Sequence, residues 1–240
     1  MKNTIHIIST IIILCLQSSC TTKNDHTTYL TVLADRTDIN IQIPEIDAIK
    51  KVFDLKINPN QKAEFRFQNI GNTDFNTTYH LGLPSYSVLS NSLQRLSNIR
   101  KFYTTIDTLV QKQNRREYNY QSSSIFTPLN KHLKLLSKVT ADKKVLLLYS
   151  DLTEYSDIFN CYSTSNQQLL FKNNELVYRR FREKRSVSDL HDVELYIIYY
   201  PKTNAENRLF QSLCTLYQEI FKDTGLKIHI GLDTSLKLTR

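Results

Sequence analysis

Two apolar stretches that each stop at an acidic, hydroxyl-rich turn dominate the hydrophobic pattern of this chain. Residues 29–38 read YLTVLADRTD, and residues 144–153 read KVLLLYSDLT. Continuous apolar runs of this length are typical of strands that are buried on both faces of a parallel sheet. Open α/β sheets place their ligand sites at the carboxyl ends of such strands. We therefore expect the polar residues that end both runs to lie at one edge of a sheet.

Segments with helical spacing alternate with further strand-like segments. Five helices are predicted, because the apolar residues recur at three- and four-residue steps or because the segment lies between predicted strands. They cover residues 43–55, 88–111, 125–139, 175–185 and 205–223. Four more strands are predicted over residues 63–70, 77–83, 193–200 and 226–230. This alternation predicts a doubly wound, mostly parallel α/β sheet with helices on both faces.

Two of these helices carry specific expectations. The helix over residues 88–111 is expected to cover one face of the sheet with an apolar stripe, which consists of Leu89, Leu93, Leu96, Ile99, Tyr103, Ile106 and Val110. The helix over residues 125–139 should begin close to the serines at 122–124, because Pro128 is tolerated only in a first turn.

The first nineteen residues have the pattern of a signal peptide. Lys2 provides a positive start, residues 5–16 are apolar but short for a membrane span, and QSSC at 17–20 forms a small-residue cleavage site. This start resembles a bacterial lipoprotein signal, with Gln17 in place of the usual aliphatic residue, and the resemblance implies that Cys20 becomes the lipidated first residue. An ordinary cleaved signal is the alternative. Residues 20–28 are then a lipidated, polar tether, and residues 29–240 form the domain.

Composition narrows the class of protein. The chain has 240 residues, 40% of them hydrophobic, and only four glycines and five prolines, which favours one globular domain. The net charge of +8 suits anionic lipid or an acidic partner, and we expect no nucleic acid partner for an exported protein. Cys161 and Cys214 remain after the signal, and we interpret them as small core residues, although this compartment permits a disulfide.

The two polar strand ends carry the candidate chemistry. With these strand ends and this order of strands and helices, the chain resembles the von Willebrand factor type A family, which has a doubly wound sheet and a metal-ion-dependent adhesion site. That site uses an Asp-x-Ser-x-Ser turn, a Thr before a central helix, and an Asp after the fourth strand. Asp35 and Thr37 match the first motif, Ile39 replaces its second hydroxyl, and Asp151 matches the last, followed by Leu152 where glycine is frequent.

The middle ligand of the resemblance has two candidates. In the segment SSIFTPL, Ser123 stands ahead of the predicted helix and is preferred, while Thr127 is the alternative. Asp38 is a further alternative ligand. The resemblance implies Mg²⁺ or Mn²⁺, which takes about six oxygens and would leave one position for a partner's carboxylate. Acidic residues at strand ends are also explained by ordinary turns and helix starts.

Other features are weaker indications of chemistry. The six histidines have no metal-ligand spacing, and Ser150 followed by Asp151 lacks the glycines of a nucleophile elbow. A basic cluster on one predicted helix fits a solvated face, a membrane contact or an acidic partner, and it consists of Arg179, Arg180, Arg182, Lys184 and Arg185.

These features predict a lipid-anchored protein of the bacterial cell envelope, periplasmic or surface-facing. Its domain is expected to bind an envelope or extracellular protein without being an enzyme. A metal-free scaffold subunit of an envelope assembly is one alternative. The other is a metal-dependent hydrolase in which Asp35 and Asp151 carry the metal and Asp38 positions a water.

Overall fold

A six-stranded sheet lies at the centre of the computed structural model, which describes residues 26–37, 41–71, 76–86, 91–115 and 123–231. The strands are β1 (Thr27–Asp35), β2 (Lys62–Ile70), β3 (Thr78–Leu83), β4 (Lys143–Tyr149), β5 (Val193–Ile198) and β6 (Lys227–Gly231). Their order is β3-β2-β1-β4-β5-β6, and all neighbours are parallel except the antiparallel pair β2 and β3. The predicted signal peptide, Cys20, Asp38 and Ile39 lie outside the described residues.

Six α-helices occur in the described part of the chain. They are α1 (Ile46–Phe53), α2 (Ser92–Asn114), α3 (Phe126–Lys138), α4 (Thr164–Lys172), α5 (Asn174–Lys184) and α6 (Asn204–Phe221), the last followed by the 3-10 turn Lys222–Thr224. None of them combines the length and apolar character needed to cross a membrane. The doubly wound α/β fold is thereby confirmed; α4 was not predicted, because only Leu170 of this helix is fully buried.

The two apolar runs form the central pair of strands. β1 and β4 lie side by side with Leu30 opposite Val145 and Leu33 opposite Leu148, and nearly all of their residues are buried. The chain leaves β1 towards β2 on one side of the sheet and leaves β4 towards β5 on the other. Such a reversal opens a crevice between the carboxyl ends of the two strands, where ligands bind in open α/β sheets.

Alternate residues of these strands enter two separate cores. Val32 packs with α1 and α2 on one face of the sheet, and Leu33 packs with α3 to α6 on the other. The predicted inward residues of α3 are all buried: Phe126, Leu129, Leu133 and Leu136. Cys161 and Cys214 are free and buried in the second core, as the sequence predicted. Each fully buried large apolar side chain stabilises the fold by about 1.5–3 kcal/mol.

The start of α2 differs from its prediction. The helix begins at Ser92, where the Asn91 side chain accepts a hydrogen bond from Leu93 N at 2.8 Å. Leu93 and Leu96 were expected to be buried but are 73% and 49% exposed, and the prediction for them is wrong. Ile99, Ile106 and Val110 are buried as predicted, and Leu89 lies outside the described residues. The first turns of α2 thus extend beyond the apolar core.

Arg95 takes the inward position instead, with 6% of its surface exposed. Its guanidinium donates to the carbonyls of Pro59 at 2.6 Å, Pro84 at 2.7 Å and Gln61 at 2.7 Å. Planar guanidinium groups suit such divergent acceptors because they present five donors in a fixed arrangement. These hydrogen bonds fix the rotation of α2 and turn Leu93 outward.

Replacing Arg95 by Met should therefore destabilise the fold although the apolar stem is kept. Three carbonyls would lose their donor, and we expect the free energy of unfolding to fall by about 2–4 kcal/mol in urea denaturation. Leu93→Ala is the matched control on the same turn, and it should change stability by less than about 0.5 kcal/mol. A larger loss for Leu93→Ala than for Arg95→Met would contradict this account.

Candidate functional site

The carboxylate of Asp35 ends β1 and lies buried at the crevice. Its Oδ1 accepts hydrogen bonds from Thr37 N at 3.0 Å and from Thr37 Oγ1 at 2.7 Å. Its Oδ2 accepts one from Ser150 Oγ at 2.9 Å, across the sheet at the end of β4. The first two bonds are the local turn that Asp favours when Thr follows two residues later. Asp35 therefore holds its own turn and also joins it to β4.

Ser123 reaches the same position from the segment before α3. Its Oγ is 3.1 Å from Thr37 Oγ1. Its backbone is fixed by an antiparallel bridge to Tyr155, in which Ser123 N donates to Tyr155 O at 3.2 Å and Tyr155 N donates to Ser123 O at 2.7 Å. Three segments that are distant in sequence thus meet at one cluster of oxygen atoms.

Asp151 follows Ser150 at the end of β4 and is half-buried. Its Oδ1 accepts a hydrogen bond from Thr153 N at 2.8 Å, and Ser150 Oγ accepts one from Leu152 N at 2.9 Å. Leu152 has a φ of 65°, in the left-handed region that favours glycine. The chain therefore makes the turn of the family's glycine with a leucine, at an expected cost of roughly 1 kcal/mol, and Leu152 is buried in the core.

Burial, followed by the negative charge of Asp151, raises the pKa of Asp35 from 3.8 to a net value of about 7. The hydrogen bonds from Thr37 and Ser150 lower this pKa but do not offset burial. Two carboxylates near one another in a poorly solvated site repel, so a proton or a cation between them is favourable. Asp35 and Asp151 are the groups whose charge such a cation would balance.

The donor set fits a small divalent cation. The cluster offers two carboxylates and two hydroxyls as candidate ligands, and the described residues contain no group of three or more His, Cys, Asp or Glu side chains arranged for a metal. Adjacent ligands of octahedral Mg²⁺ lie about 3.0 Å apart when each metal–oxygen distance is near 2.1 Å. The Thr37 and Ser123 hydroxyl oxygens are 3.1 Å apart, which is a hydrogen-bond distance and is also close to this spacing.

The structure distinguishes Ser123 from its alternatives. Thr127 is exposed in the first turn of α3, whereas Ser123 is buried and adjoins Thr37. Pro128 is the third residue of α3, which confirms the predicted helix start near the serines. The position of Asp38 lies outside the described residues. Of the two candidates for the middle position, Ser123 is therefore the one that lies at the cluster.

Two residues of this site were missed in the sequence. Ser150 was considered only as a nucleophile and proves to bind Asp35. Glu154 is fully buried, and its Oε2 accepts hydrogen bonds from Ile125 N at 3.0 Å and Phe126 N at 2.9 Å. It satisfies free N–H groups at the start of α3 and so holds the segment that carries Ser123. No local spacing signals these contacts, because their partners are more than twenty residues away.

The raised pKa of Asp35 predicts a pH dependence for the metal-free protein. The folded state binds the proton of Asp35 more tightly than the unfolded state does, so this stabilisation is present below the ordinary pKa of 3.8 and is lost as the pH rises through about 7. In chelator, the free energy of unfolding of the unmodified protein should fall by about 4 kcal/mol between pH 4 and 8. Asp35→Asn cannot ionise and should not show this fall. Thermal melting across this range measures the effect.

Asp47→Asn is the control for this experiment, because Asp47 is an exposed carboxylate on α1. Its pH profile should match that of the unmodified chain. A profile for Asp35→Asn that also matches the unmodified chain would mean that Asp35 ionises normally and is well solvated.

Glu154 allows a test of how Ser123 is held. Glu154→Gln keeps an oxygen acceptor for Ile125 N and Phe126 N, while Glu154→Leu leaves both buried donors without one. We expect the leucine variant to be less stable than the glutamine variant by about 2–4 kcal/mol in denaturant unfolding. Equal stability of the two variants would show that the helix start does not depend on this acceptor.

Comparison with known proteins gives similarity of fold only. No protein-family model matches the chain, and no curated protein sequence matches it. A mutant of the PilB minor pilin from Streptococcus sanguinis is 11% identical with a TM-score of 0.45, over 89% of this chain and 59% of the pilin chain. The conserved hypothetical protein BatB from Bacteroides thetaiotaomicron is 9% identical with a TM-score of 0.42, over 87% of this chain and 91% of that chain. This chain spans 59% of the length of the pilin chain that it matches.

Proposed function

We propose that the protein is a lipoprotein of the bacterial envelope whose domain is a divergent von Willebrand factor type A module. Cys20 carries the lipid, the residues between Cys20 and β1 form the tether, and the domain binds an envelope or extracellular protein. The partner is bound and not chemically converted. The observation that supports this proposal is the cluster of Asp35, Thr37 and Ser123 beside Asp151 at the crevice between β1 and β4.

In this proposal Asp35, Thr37, Ser123 and Asp151 hold Mg²⁺ or Mn²⁺. The ion supplies a coordination position that a carboxylate of the partner completes. Asp35 and Asp151 balance the charge of the ion, while the hydroxyls of Thr37 and Ser123 add neutral oxygens. The bridge between Ser123 and Tyr155 keeps these oxygens in place before the partner arrives, which reduces the entropy lost on binding.

A metal-free scaffold is the second candidate, and one observation favours it. Both oxygens of Asp35 already accept hydrogen bonds from the protein, and its pKa of about 7 lets the protonated form exist near neutral pH. The turn can therefore be maintained without a cation. In such a scaffold the same edge would contact a subunit of an envelope assembly through hydrogen bonds alone. The hydrolase alternative depends on Asp38, and it stays a prediction.

Thermal melting with chelator, and then with Mg²⁺ or Mn²⁺, decides between the first two candidates. A ligand at a hundredfold its Kd stabilises the folded state by about 2.7 kcal/mol. For a domain of this size we expect the melting temperature to rise by roughly 5–10 °C. Asp35→Ala and Asp151→Ala should abolish the rise.

Ser123→Ala and Thr127→Ala form a matched pair for the same measurement. Each removes one hydroxyl near the start of α3, but only Ser123 adjoins Thr37. The Ser123 variant should lose most of the metal-induced shift, and the Thr127 variant should keep it. An unmodified protein that shows no shift at millimolar metal would contradict the metal-dependent proposal and favour the scaffold.

A further inference from the structure

We propose that the end of the domain opposite the candidate site docks on an anionic lipid surface. We call this end the amino edge: it comprises the starts of the parallel strands, the loop 54–61, the start of α2, and the ends of α3, α5 and α6. The inference rests on the lipid anchor of the proposed function and does not depend on the metal.

The length of the tether supports this orientation. Thr27 begins β1 at the amino edge and follows Cys20 by seven residues, which can span at most about 25 Å. Asp35 lies at the other end of the nine residues of β1, a further distance of roughly 30 Å. The lipid on Cys20 would therefore hold the amino edge close to the bilayer and leave the carboxyl edge facing away.

Large aliphatic side chains are exposed at the amino edge. Ile57 is 63% exposed in the loop after α1, and Leu93 and Leu96 are exposed on the first turns of α2. Arg95 joins these two segments, because its guanidinium binds carbonyls of the loop 54–61 and the residues near it. Single exposed apolar residues are ordinary, but aliphatic groups beside basic ones are the composition that inserts at a lipid interface.

Basic side chains at the same edge are available to lipid headgroups. Lys56, Lys138, Lys184 and Lys227 are exposed and form no ion pair with another described residue. Each lysine near an anionic membrane strengthens binding about fivefold. The positive charge of these lysines therefore favours binding of this edge to an anionic surface.

Several acidic groups at this edge already have partners within the protein. Asp192 lies 2.6 Å from Lys144, and Asp142 accepts a hydrogen bond from Thr27 N at 2.7 Å. Asp223 accepts from Arg185 and from Arg182, which neutralises part of the basic cluster on α5. The four lysines are therefore available to an outside partner, and they outnumber the carboxylates of Asp54 and Glu183, which form no ion pair with a described residue.

A polar groove at the amino edge has the size and chemistry for a phosphate headgroup. Its volume is about 590 Å³, and it lies between the end of α3 and the loop before β5. Lys134, Lys138, Ser186, Ser188 and His191 line it, together with two carboxylates: Asp189, which pairs with His191 at 2.8 Å, and Asp192, which pairs with Lys144. Lysines and hydroxyls are suitable donors for phosphate oxygens.

The absence of tryptophan from the chain permits a direct test. Leu93→Trp and Ile57→Trp place a probe at the amino edge, and Tyr162→Trp places one on the exposed loop after β4, near Ser123 and Tyr155. The full chain, reconstituted in phosphatidylcholine vesicles with or without phosphatidylglycerol, carries one probe at a time. In the anionic vesicles, the apolar lipid environment should blue-shift the emission of the two amino-edge probes, and lipids with brominated acyl chains should quench it. The emission of Tyr162→Trp should be unchanged.

Charge reversal at opposite ends gives the matched control. In the Leu93→Trp background, Lys56→Glu should lower the ratio of docked to undocked protein about fivefold or more. Lys202→Glu reverses one charge in the loop after β5, at the carboxyl edge, and should leave the ratio unchanged. Equal effects of the two variants would overturn the electrostatic part of the docking.

The remaining outcomes separate docking from anchoring. Protein that sediments with vesicles but shows no quenching at Leu93→Trp or Ile57→Trp would leave the anchor standing and overturn the docking. Quenching confined to Tyr162→Trp would reverse the orientation and overturn it as well, as would capture of an acidic protein at this edge without lipid quenching. Protein that stays in solution would overturn the anchor and, with it, the docking.

Discussion

The buried carboxylate of Asp35 is the constraint on which the carboxyl edge of the sheet depends. It accepts hydrogen bonds from the turn that follows β1 and from Ser150 after β4, and through Thr37 it adjoins the segment before α3. Because each partner comes from a different crossover, the carboxylate fixes the relative positions of three loops. The polar cluster is therefore a structural element of the fold as well as a candidate binding site.

The same burial sets the electrostatic character of the site. A carboxylate that is removed from water beside Asp151 is costly to ionise, and its pKa rises to about 7. Protonation and cation binding relieve the same repulsion, so they compete for one site. Leu152 supports this arrangement through its left-handed backbone turn. Glu154 supports it by accepting hydrogen bonds from the start of α3. In the metal-dependent proposal a divalent ion relieves this repulsion. In the metal-free proposal a proton on Asp35 relieves it.

The opposite end of the domain has a different composition. Arg95 there uses backbone carbonyls to hold α2, which leaves Leu93 and Leu96 outside the core and close to exposed lysines. A short chain links this end to the predicted lipid on Cys20. The proposed membrane surface and the proposed partner site consequently lie about one strand length apart, so that both can be occupied at once.

The sequence alone determined the fold class and supplied the four candidate ligands. Apolar runs and helical spacing depend on which side chains face a core, so β1, β4 and most helices could be predicted, and the rule for parallel strands placed Asp35, Thr37 and Asp151 at one edge. Local pattern does not specify partners distant in the chain. The sequence preferred Ser123 to Thr127, and the structure shows its contact with Thr37. Only the tertiary structure decided that Arg95 and not Leu93 turns inward, and that Ser150 and Glu154 belong to the site. Each of these outcomes depends on hydrogen bonds between groups that meet only when the chain is folded.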